Sequence, residues 1–258
     1  MFEIAGVPCR VVSDHTGFWE LLAHYAPFTS HTPPRFSLEV VIQDPLPHEL
    51  TPPSNGVYAH LALRGKQLSI HGPGFEGKFN YTTHRGTISQ PLDLSPFETF
   101  LTAILGRYLR EAGGFFLHSA GLLFRDRVLL FFGPSGSGKT TLATIVGEGV
   151  LSDEIVAVRR DSSDYCVYGV PWRGTARSGR LSGCFALRKA PSTQVRPISE
   201  SLAVRRLLPS IFFTTPEAEE LAETFRAVGE LAAAVPCFDL DFTPERVAWE
   251  YSLASLRL

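Results

Sequence analysis

One segment, residues 133–140, limits more than any other what this chain can fold into. It reads Gly-Pro-Ser-Gly-Ser-Gly-Lys-Thr and matches the pattern G-x-x-x-x-G-K-[ST] in full. The apolar run 128–132 before it indicates a buried strand, and the residues from Lys139 onward indicate a helix. This is the context in which the pattern forms a phosphate-binding loop. A ligand-free turn rich in glycine and serine is the alternative, and motif and context together disfavour it.

The chemistry of such a loop predicts a nucleotide site that uses ATP and Mg²⁺. Glycines let the backbone wrap closely around phosphate oxygens, and backbone N–H groups at a helix N-terminus attract anions. Lys139 supplies a positive charge for the β- and γ-phosphates, and the Thr140 hydroxyl is a ligand for Mg²⁺. The expected nucleotide-binding residues are Gly133, Pro134, Ser135, Gly136, Ser137, Gly138, Lys139, Thr140 and Thr141.

An acidic pair, Asp153-Glu154, follows Lys139 by 14 residues. A helix over 139–147 would carry the chain away from the loop by roughly 13 Å, at about 1.5 Å per residue. A strand over 149–153 would bring it back by a similar distance, at about 3.3 Å per residue. Asp153 can therefore lie beside the phosphates, where an acid holds Mg²⁺ or accepts a proton from an attacking hydroxyl. The alternative is that both acids are solvated turn residues.

Three segments in this order resemble the HPr serine kinase/phosphorylase family: Leu-His-Ser-Ala at 117–120, the loop at 133–140, and Leu-Ser-Asp-Glu at 151–154. The resemblance covers roughly residues 100–190. It implies a P-loop core with a mixed sheet, related to phosphoenolpyruvate carboxykinase. It also implies that His118 lies beside the γ-phosphate, that Asp153 is the proton-accepting acid, and that Thr140 with Asp153 or Glu154 holds the metal. The catalytic residues expected on this basis are Asp153, His118 and Lys139.

The chain departs from that family in ways that bring it nearer to the stand-alone kinase relatives, some of which modify small ribosomal peptides. Glu154 stands where the family has a second Asp. The segment 172–175, Trp-Arg-Gly-Thr, is only a faint counterpart of the family's Glu-x-Arg-Gly-x-Gly. Residues 1–94 do not look like the usual regulatory domain.

The rest of the chain predicts two domains, a smaller β-rich one over 1–94 and the nucleotide-binding one over 95–258. Strands are expected at 36–42, 57–63 and 67–71, with a loop over the proline-rich stretch 44–56. The second domain is expected to begin with a helix whose N-terminal capping box is Ser95-Pro96-Phe97-Glu98 and which ends at Gly113-Gly114. Further helices are expected at 199–208 and 216–234, and a strand at 237–242.

Composition excludes several classes of function. The chain has 24 Lys and Arg against 26 Asp and Glu, so a basic nucleic-acid or membrane surface is not expected. No apolar run approaches the roughly 18 residues of a membrane helix. The N-terminus carries an acid, Glu3, where a signal peptide needs a basic region. The four cysteines have no metal-ligand spacing and are expected to be reduced and buried, which fits the cytoplasm.

The sequence as a whole predicts an ATP-dependent kinase that phosphorylates a hydroxyl, with a serine of a protein or peptide as partner. A homo-oligomer is compatible with it. A non-catalytic nucleotide sensor and a P-loop ATPase are the alternatives. Three arginines after Pro171-Trp172 form either a substrate clamp or a solvated basic loop, and these are Arg173, Arg177 and Arg180.

Overall fold

The computed structural model describes residues 1–43, 59–213, 218–244 and 247–256, and within them the protein is α/β with mixed sheets. The predicted proline-rich loop at 44–56 and the first residues of the strand predicted at 57–63 lie outside these ranges. The chain divides into two compact units, Met1–Tyr108 (unit 1), and Leu109–Phe213 with Glu219–Leu258 (unit 2). No helix among the described residues is both long and apolar enough to cross a membrane.

The described part of unit 1 is built on a seven-stranded sheet with the order β1-β2-β3-β7-β6-β5-β4. Its strands are β1 (Phe2–Ile4), β2 (Val7–Val12), β3 (Phe36–Ile42), β4 (His60–Arg64), β5 (Gln67–Gly72), β6 (Phe75–Asn80) and β7 (Arg85–Gln90). Pairs β2–β3 and β3–β7 are parallel and the others antiparallel. Helix α1 (Thr16–Leu21) and a 3₁₀ segment (Leu22–Phe28) follow β2. The predicted strands at 36–42 and 67–71 are confirmed.

Helix α2 (Leu94–Glu111) packs on the sheet of unit 1. Phe97 and Phe100 are fully buried, and a Cβ at Gly77 of β6 would lie 2.9 Å from the Phe100 ring. The absence of a side chain at Gly77 therefore allows the close approach of helix and sheet. The division between the two units falls inside this helix, after Tyr108, whereas the sequence predicted it before Ser95. The division of the chain into domains over 1–94 and 95–258 therefore stays a prediction.

The N-terminal cap of α2 is Asp93, and the predicted capping box at Ser95 is wrong. The Ser95 backbone N–H donates to Asp93 Oδ1 at 2.9 Å. Glu98, which the box would turn back to the helix start, instead accepts a hydrogen bond from the Tyr25 hydroxyl at 3.3 Å. Asp93 and Ser95 are both favourable caps, so local sequence did not distinguish them. The predicted end at Gly113-Gly114 is confirmed, because Gly113 has a φ of 64° and donates to Arg110 O.

Unit 2 contains a ten-stranded mixed sheet within the described residues. Its strands are β8 (Phe115–Leu117), β9 (Ser119–Phe124), β10 (Arg127–Phe132), β11 (Val150–Ser152), β12 (Val156–Asp161), β13 (Asp164–Tyr168), β14 (Ser178–Lys189), β15 (Gln194–Pro197), β16 (Ile211–Phe212) and β17 (Cys237–Phe242). Its helices are α3 (Lys139–Val146), α4 (Glu200–Leu207), α5 (Ala218–Ala234) and α6 (Val247–Ser255). The helices predicted at 199–208 and 216–234 and the strand at 237–242 are confirmed, apart from end residues and the undescribed 216–217.

The sheet of unit 2 closes on itself through one bent strand. Only His118 separates β8 from β9, and the two halves pair with different neighbours. β8 pairs with β12 and β9 with β10, while β14 joins β10 in parallel and β13 antiparallel, and β13 continues to β12. The hydrogen-bonded path therefore returns to its start at His118. Apolar residues fill both faces, as in Leu129, Leu130 and Phe131, which are all fully buried.

Burial of the cysteines is as expected for three of the four, namely Cys9, Cys184 and Cys237. Cys166, on β13, is partly exposed, so the prediction that it is buried is wrong.

Candidate functional site

The loop between β10 and α3 has the strand–loop–helix arrangement that its sequence predicts. Inside it, the Ser137 N–H donates to Pro134 O at 3.1 Å, which turns the chain tightly. Gly136 and Gly138 have φ values of 76° and 108°, a region that costs other residues about 1–2 kcal/mol. A Cβ at Gly136 would meet no atom within 4 Å. The tip of the loop is therefore open, as close approach of a ligand to the backbone requires.

Lys139, the first residue of α3, turns back over the loop. Its Nζ donates to Gly133 O at 2.9 Å and to Pro134 O at 3.4 Å. Only 7% of the residue is exposed, and burial lowers the pKa of its ammonium group. Both of these partners are neutral, and none of the described residues forms an ion pair with Lys139. Such a buried cation is well suited to an anionic ligand, because a phosphate would supply the missing negative charge.

Strand register brings His118 and the acidic pair to the same edge of the sheet as the loop. Ser119 of β9 lies opposite Phe132 of β10, so His118 lies next to the start of the loop. Ser152 of β11 lies opposite Gly121 of β9, so Asp153 follows at this edge. The helix α3 and the short strand β11 correspond to the helix and strand from whose lengths the position of Asp153 was predicted. The return of the chain toward the loop is thus present in the structure.

A cavity of about 350 Å³ at this edge is bordered by most of the residues that the sequence singled out. We call it the phosphate cavity. Its lining consists of His118, Ser135, Gly136, Gly138, Lys139, Thr140, Thr141, Asp153, Glu154 and Lys189. Of the predicted nucleotide-binding residues, Gly133, Pro134 and Ser137 are not in this lining. Gly133 and Pro134 border a neighbouring cavity, and Ser137 is buried with a hydroxyl that has no hydrogen-bond partner among the described residues. Lys189, at the end of β14, was not predicted.

The pKa of His118 depends on its neighbours in this cavity. Partial burial lowers the pKa of the imidazole, and the ammonium of Lys139 lowers it further, while the carboxylate of Glu154 raises it. The net shift of the pKa is downward, which favours the neutral form of the ring. A neutral imidazole can donate one hydrogen bond to a phosphate oxygen without adding a second cation beside Lys139.

The acidic turn is held in place by a loop whose role the sequence analysis missed, residues 169–175. Ser152, with 2% of its surface exposed, donates from Oγ to Arg173 O at 2.6 Å. The same oxygen accepts the backbone N–H groups of Glu154 and Ile155 at 3.2 and 3.1 Å. The Thr175 N–H donates to Leu151 O at 2.8 Å. These bonds fix the backbone on either side of Asp153.

Glycines make this close packing of loop and strand sterically feasible. A Cβ at Gly174 would lie 2.4 Å from Leu151 O, and one at Gly169 would lie 2.1 Å from Thr175 O. The available signal was the pair of glycines on either side of Pro171-Trp172, because close backbone approach is one reason for glycine in an extended segment.

The three arginines proposed as a substrate clamp are not brought together. Arg173 pairs with Glu154, with 3.2 Å between Nε and Oε2. Arg180 lies on β14 and pairs with Asp164, with 2.9 Å between Nη2 and Oδ1. Arg177 is exposed and borders neither the phosphate cavity nor its neighbour. Arg173 alone therefore touches the acidic pair.

The donor set at this edge suits Mg²⁺ in kind. The Thr140 hydroxyl and the Asp153 and Glu154 carboxylates are oxygen ligands, which this ion prefers. No group of three or more His, Cys, Asp or Glu residues in the described part of the chain is arranged to hold a metal. A metal here would therefore depend on phosphate oxygens for most of its coordination, as is usual for Mg²⁺ at nucleotide sites.

Comparison with known proteins gives a weak likeness to solved structures and none to families or curated proteins. No family model matches the sequence, and no curated protein does. Among solved structures, the HPr(Ser) kinase/phosphatase from Coxiella burnetii aligns with a TM-score of 0.31 and 10% sequence identity, covering 55% of this chain and 89% of the other. A TM-score and an identity this low carry no argument about function, so the interpretation of the site depends on its own residues.

Proposed function

We propose that unit 2 is an ATP-dependent kinase that transfers the γ-phosphate to a hydroxyl group, a serine of a protein or peptide. The observation that carries the proposal is the lining of the phosphate cavity. It combines a glycine-rich loop at a helix N-terminus with a buried lysine, a histidine and a carboxylate pair. A loop that only binds nucleotide needs the first two features. The histidine and the acids add groups that can act on a reacting hydroxyl.

The loop and Lys139 bind the phosphates. Backbone N–H groups at the start of α3 and the Lys139 ammonium neutralise the β- and γ-phosphate charges. Thr140 and one acid would hold Mg²⁺ together with the nucleotide, and the ion would supply positive charge to stabilise the phosphate oxygens. Ser137 and the glycines shape the turn that directs these amides to one point.

Asp153 is assigned the role of proton acceptor, and His118 is assigned the role of positioning the reacting groups. The acceptor oxygen forms a bond to the γ-phosphorus as the bond to the β-phosphate oxygen breaks. ADP leaves with that electron pair, and the acceptor proton passes to the Asp153 carboxylate. His118 donates a hydrogen bond to the transferring group from its neutral ring. Glu154 is assigned the role of metal ligand, and its ion pair with Arg173 holds its carboxylate in place.

The His–loop–acid order in the sequence, which resembles the HPr serine kinase family, agrees with these roles. Cation pairing also distinguishes the two acids. Glu154 forms an ion pair with Arg173, whereas Asp153 forms none with the described residues. The oxygens of Asp153 are therefore not engaged by a cation of the described residues and can accept the hydrogen bond of an attacking hydroxyl.

The test is a pair of neutralising substitutions, Asp153→Asn and Glu154→Gln. Both are measured for binding of a non-hydrolysable ATP analogue by calorimetry, and for transfer of labelled γ-phosphate to a library of serine peptides with Mg²⁺ or with excess chelator. Asp153→Asn should keep the affinity for the analogue and lose transfer by about 10²–10⁴-fold, the usual effect of removing a general base. Glu154→Gln should lose less transfer and need more Mg²⁺. Chelator should abolish transfer in all variants.

Other outcomes would point to the alternatives. ADP release without any labelled peptide would indicate an ATPase, and analogue binding without any turnover would indicate a sensor. Lys139→Ala is the control for binding, since it removes the cation that faces the phosphates. An unchanged affinity in that variant would refute the nucleotide site itself.

A further inference from the structure

A second cavity, of about 550 Å³, adjoins the phosphate cavity in unit 2 and shares His118 and Ser135 with it. We call it the side cavity. It is formed by the end of β10, the second half of β14, the end of α4, and β16. Its remaining lining consists of Phe132, Gly133, Pro134, Ala186, Leu187, Arg188, Arg205, Arg206, Pro209, Ser210, Ile211, Phe212 and Asp239. A volume of this size lies within the range of small-ligand sites.

The two cavities meet the phosphate loop at different ends. The side cavity borders Gly133, Pro134 and Ser135, the first residues of the loop. Thr140 and Thr141, in the first turn of α3, border only the phosphate cavity. In a loop of this pattern the helix end holds the metal-binding hydroxyl and the amides for the inner phosphates, and the lysine reaches the outer ones. The nucleoside therefore extends from the helix side. The side cavity, reached past His118, is left for the group that receives the phosphate.

The walls of the side cavity are apolar on one side and basic on the other. Phe212 of β16 is 46% exposed and stands beside Leu187 and Ile211, which offers an apolar side chain a partner. An exposed aromatic ring at the wall of a cavity gives the apolar part of a ligand a large contact area. The basic side contains three arginines, Arg188, Arg205 and Arg206, and one carboxylate, that of Asp239.

Two of these arginines have carboxylate partners, and the third has none among the described residues. Arg206 Nε lies 3.4 Å from Asp239 Oδ1, and Arg188 Nη2 lies 2.7 Å from Asp241 Oδ1. Arg205, at the end of α4, forms no ion pair with any residue in the described ranges. It is therefore the cation at this rim whose fork of N–H donors is available for a carboxylate from outside.

We propose that the side cavity binds the acceptor as a short acidic peptide segment. The serine lies beside His118 and Ser135, which line both cavities, so that its hydroxyl enters the phosphate cavity that Asp153 also lines. An apolar neighbour packs on Phe212, and a Glu or Asp one or two residues away pairs with Arg205. This inference rests on the proposed kinase function and specifies its substrate class. It commits the acceptor to an anionic peptide, because a basic one would meet uncompensated arginine charge.

The experiment compares two fluorescent peptides, acetyl-Leu-Ser-Gly-Glu-amide and acetyl-Leu-Ser-Gly-Gln-amide, which differ only in charge. Binding is measured by anisotropy at low salt, with the protein saturated by a non-hydrolysable ATP analogue and Mg²⁺. We expect the Glu peptide to bind about fivefold more tightly, as suits one partly exposed Arg–carboxylate pair. Arg205→Ala should remove that preference. Arg226→Ala, an exposed arginine on α5 outside both cavities, is the matched control and should keep it.

Phe212→Ala gives a second, independent readout. It should weaken both peptides by a similar factor, because it removes apolar contact and no charge. Equal affinity of the two peptides, no binding of either, or a preference that survives Arg205→Ala would overturn the inference and leave the kinase proposal standing. Failure of the ATP analogue to bind would overturn both.

Discussion

Alanine at two glycines of the phosphate loop should separate stability from ligand binding. Gly138 has a φ of 108°, and a Cβ there would lie 2.6 Å from the Phe242 ring. A left-handed backbone costs a non-glycine residue about 1–2 kcal/mol, and overpacking adds about 1–3 kcal/mol. Because Phe242 is only 2% exposed and cannot move freely, Gly138→Ala should lower the free energy of unfolding by about 2–5 kcal/mol. Gly136 has a φ of 76° but open space around a Cβ, so Gly136→Ala should cost only about 1–2 kcal/mol.

Affinity for nucleotide should be lost in Gly136→Ala, although this is the variant that keeps more of its stability. The Cβ of Gly136→Ala would occupy the space that a phosphate needs, so this variant should lose at least about tenfold in affinity for an ATP analogue although it stays folded. Urea unfolding followed by tryptophan fluorescence measures stability, since Trp172 and Trp249 both belong to unit 2. Calorimetry measures binding. Wild-type affinity in Gly136→Ala would refute the phosphate assignment, and equal stability losses in both variants would refute the Phe242 contact.

Two further predictions concern the groups around the loop. The pKa of His118, followed by NMR, should lie below its ordinary value of about 6.5, rise in Lys139→Ala and fall in Glu154→Gln. Because the unfolded chain binds the imidazole proton more tightly than the folded chain, the contribution of His118 to stability is lost as the pH falls below about 6.5. An unchanged pKa in Lys139→Ala would contradict the contact between the two residues. Ser152→Ala, which removes three hydrogen bonds, should cost about 1–3 kcal/mol in urea unfolding and lower phosphate transfer without weakening nucleotide binding; full transfer in this variant would show that the anchoring of the acidic turn does not matter.

The sequence could predict those parts of the site that depend on short stretches of chain. The loop is encoded by eight consecutive residues, and the return of Asp153 toward it follows from the lengths of one helix and one strand. Both lengths could be estimated from apolar patterns. The position of His118 came from the resemblance, and strand register now gives it a physical basis: a neighbour of Ser119 must lie beside the loop, because Ser119 pairs with Phe132.

The parts that could not be predicted depend on pairing between distant segments. The loop 169–175 contacts β11 through the Thr175 N–H, which donates to Leu151 O, and through Arg173 O, which accepts from the Ser152 hydroxyl. Nothing in the loop's own sequence identifies Leu151 or Ser152 as partners. The side cavity likewise combines α4 and β16 with β14. The start of α2 was missed for a different reason. Asp93 and Ser95 are both good caps, and Pro96 is tolerated throughout a first turn, whose N–H groups have no partner inside the helix.

The position of His118 links the two proposals. It is the residue at which one strand bends from β8 to β9, and its backbone N–H donates to Ser210 O at 2.7 Å, beside β16. The bend therefore places a single imidazole on the wall shared by the phosphate cavity and the side cavity. In the proposed reaction the phosphoryl group is transferred where the two cavities meet, beside His118 and Ser135, which line both. A neutral ring offers it a hydrogen-bond donor without a charge that would compete with Asp153 for the proton. Depression of the His118 pKa by burial and by Lys139 is thus what the proposed reaction requires of this residue.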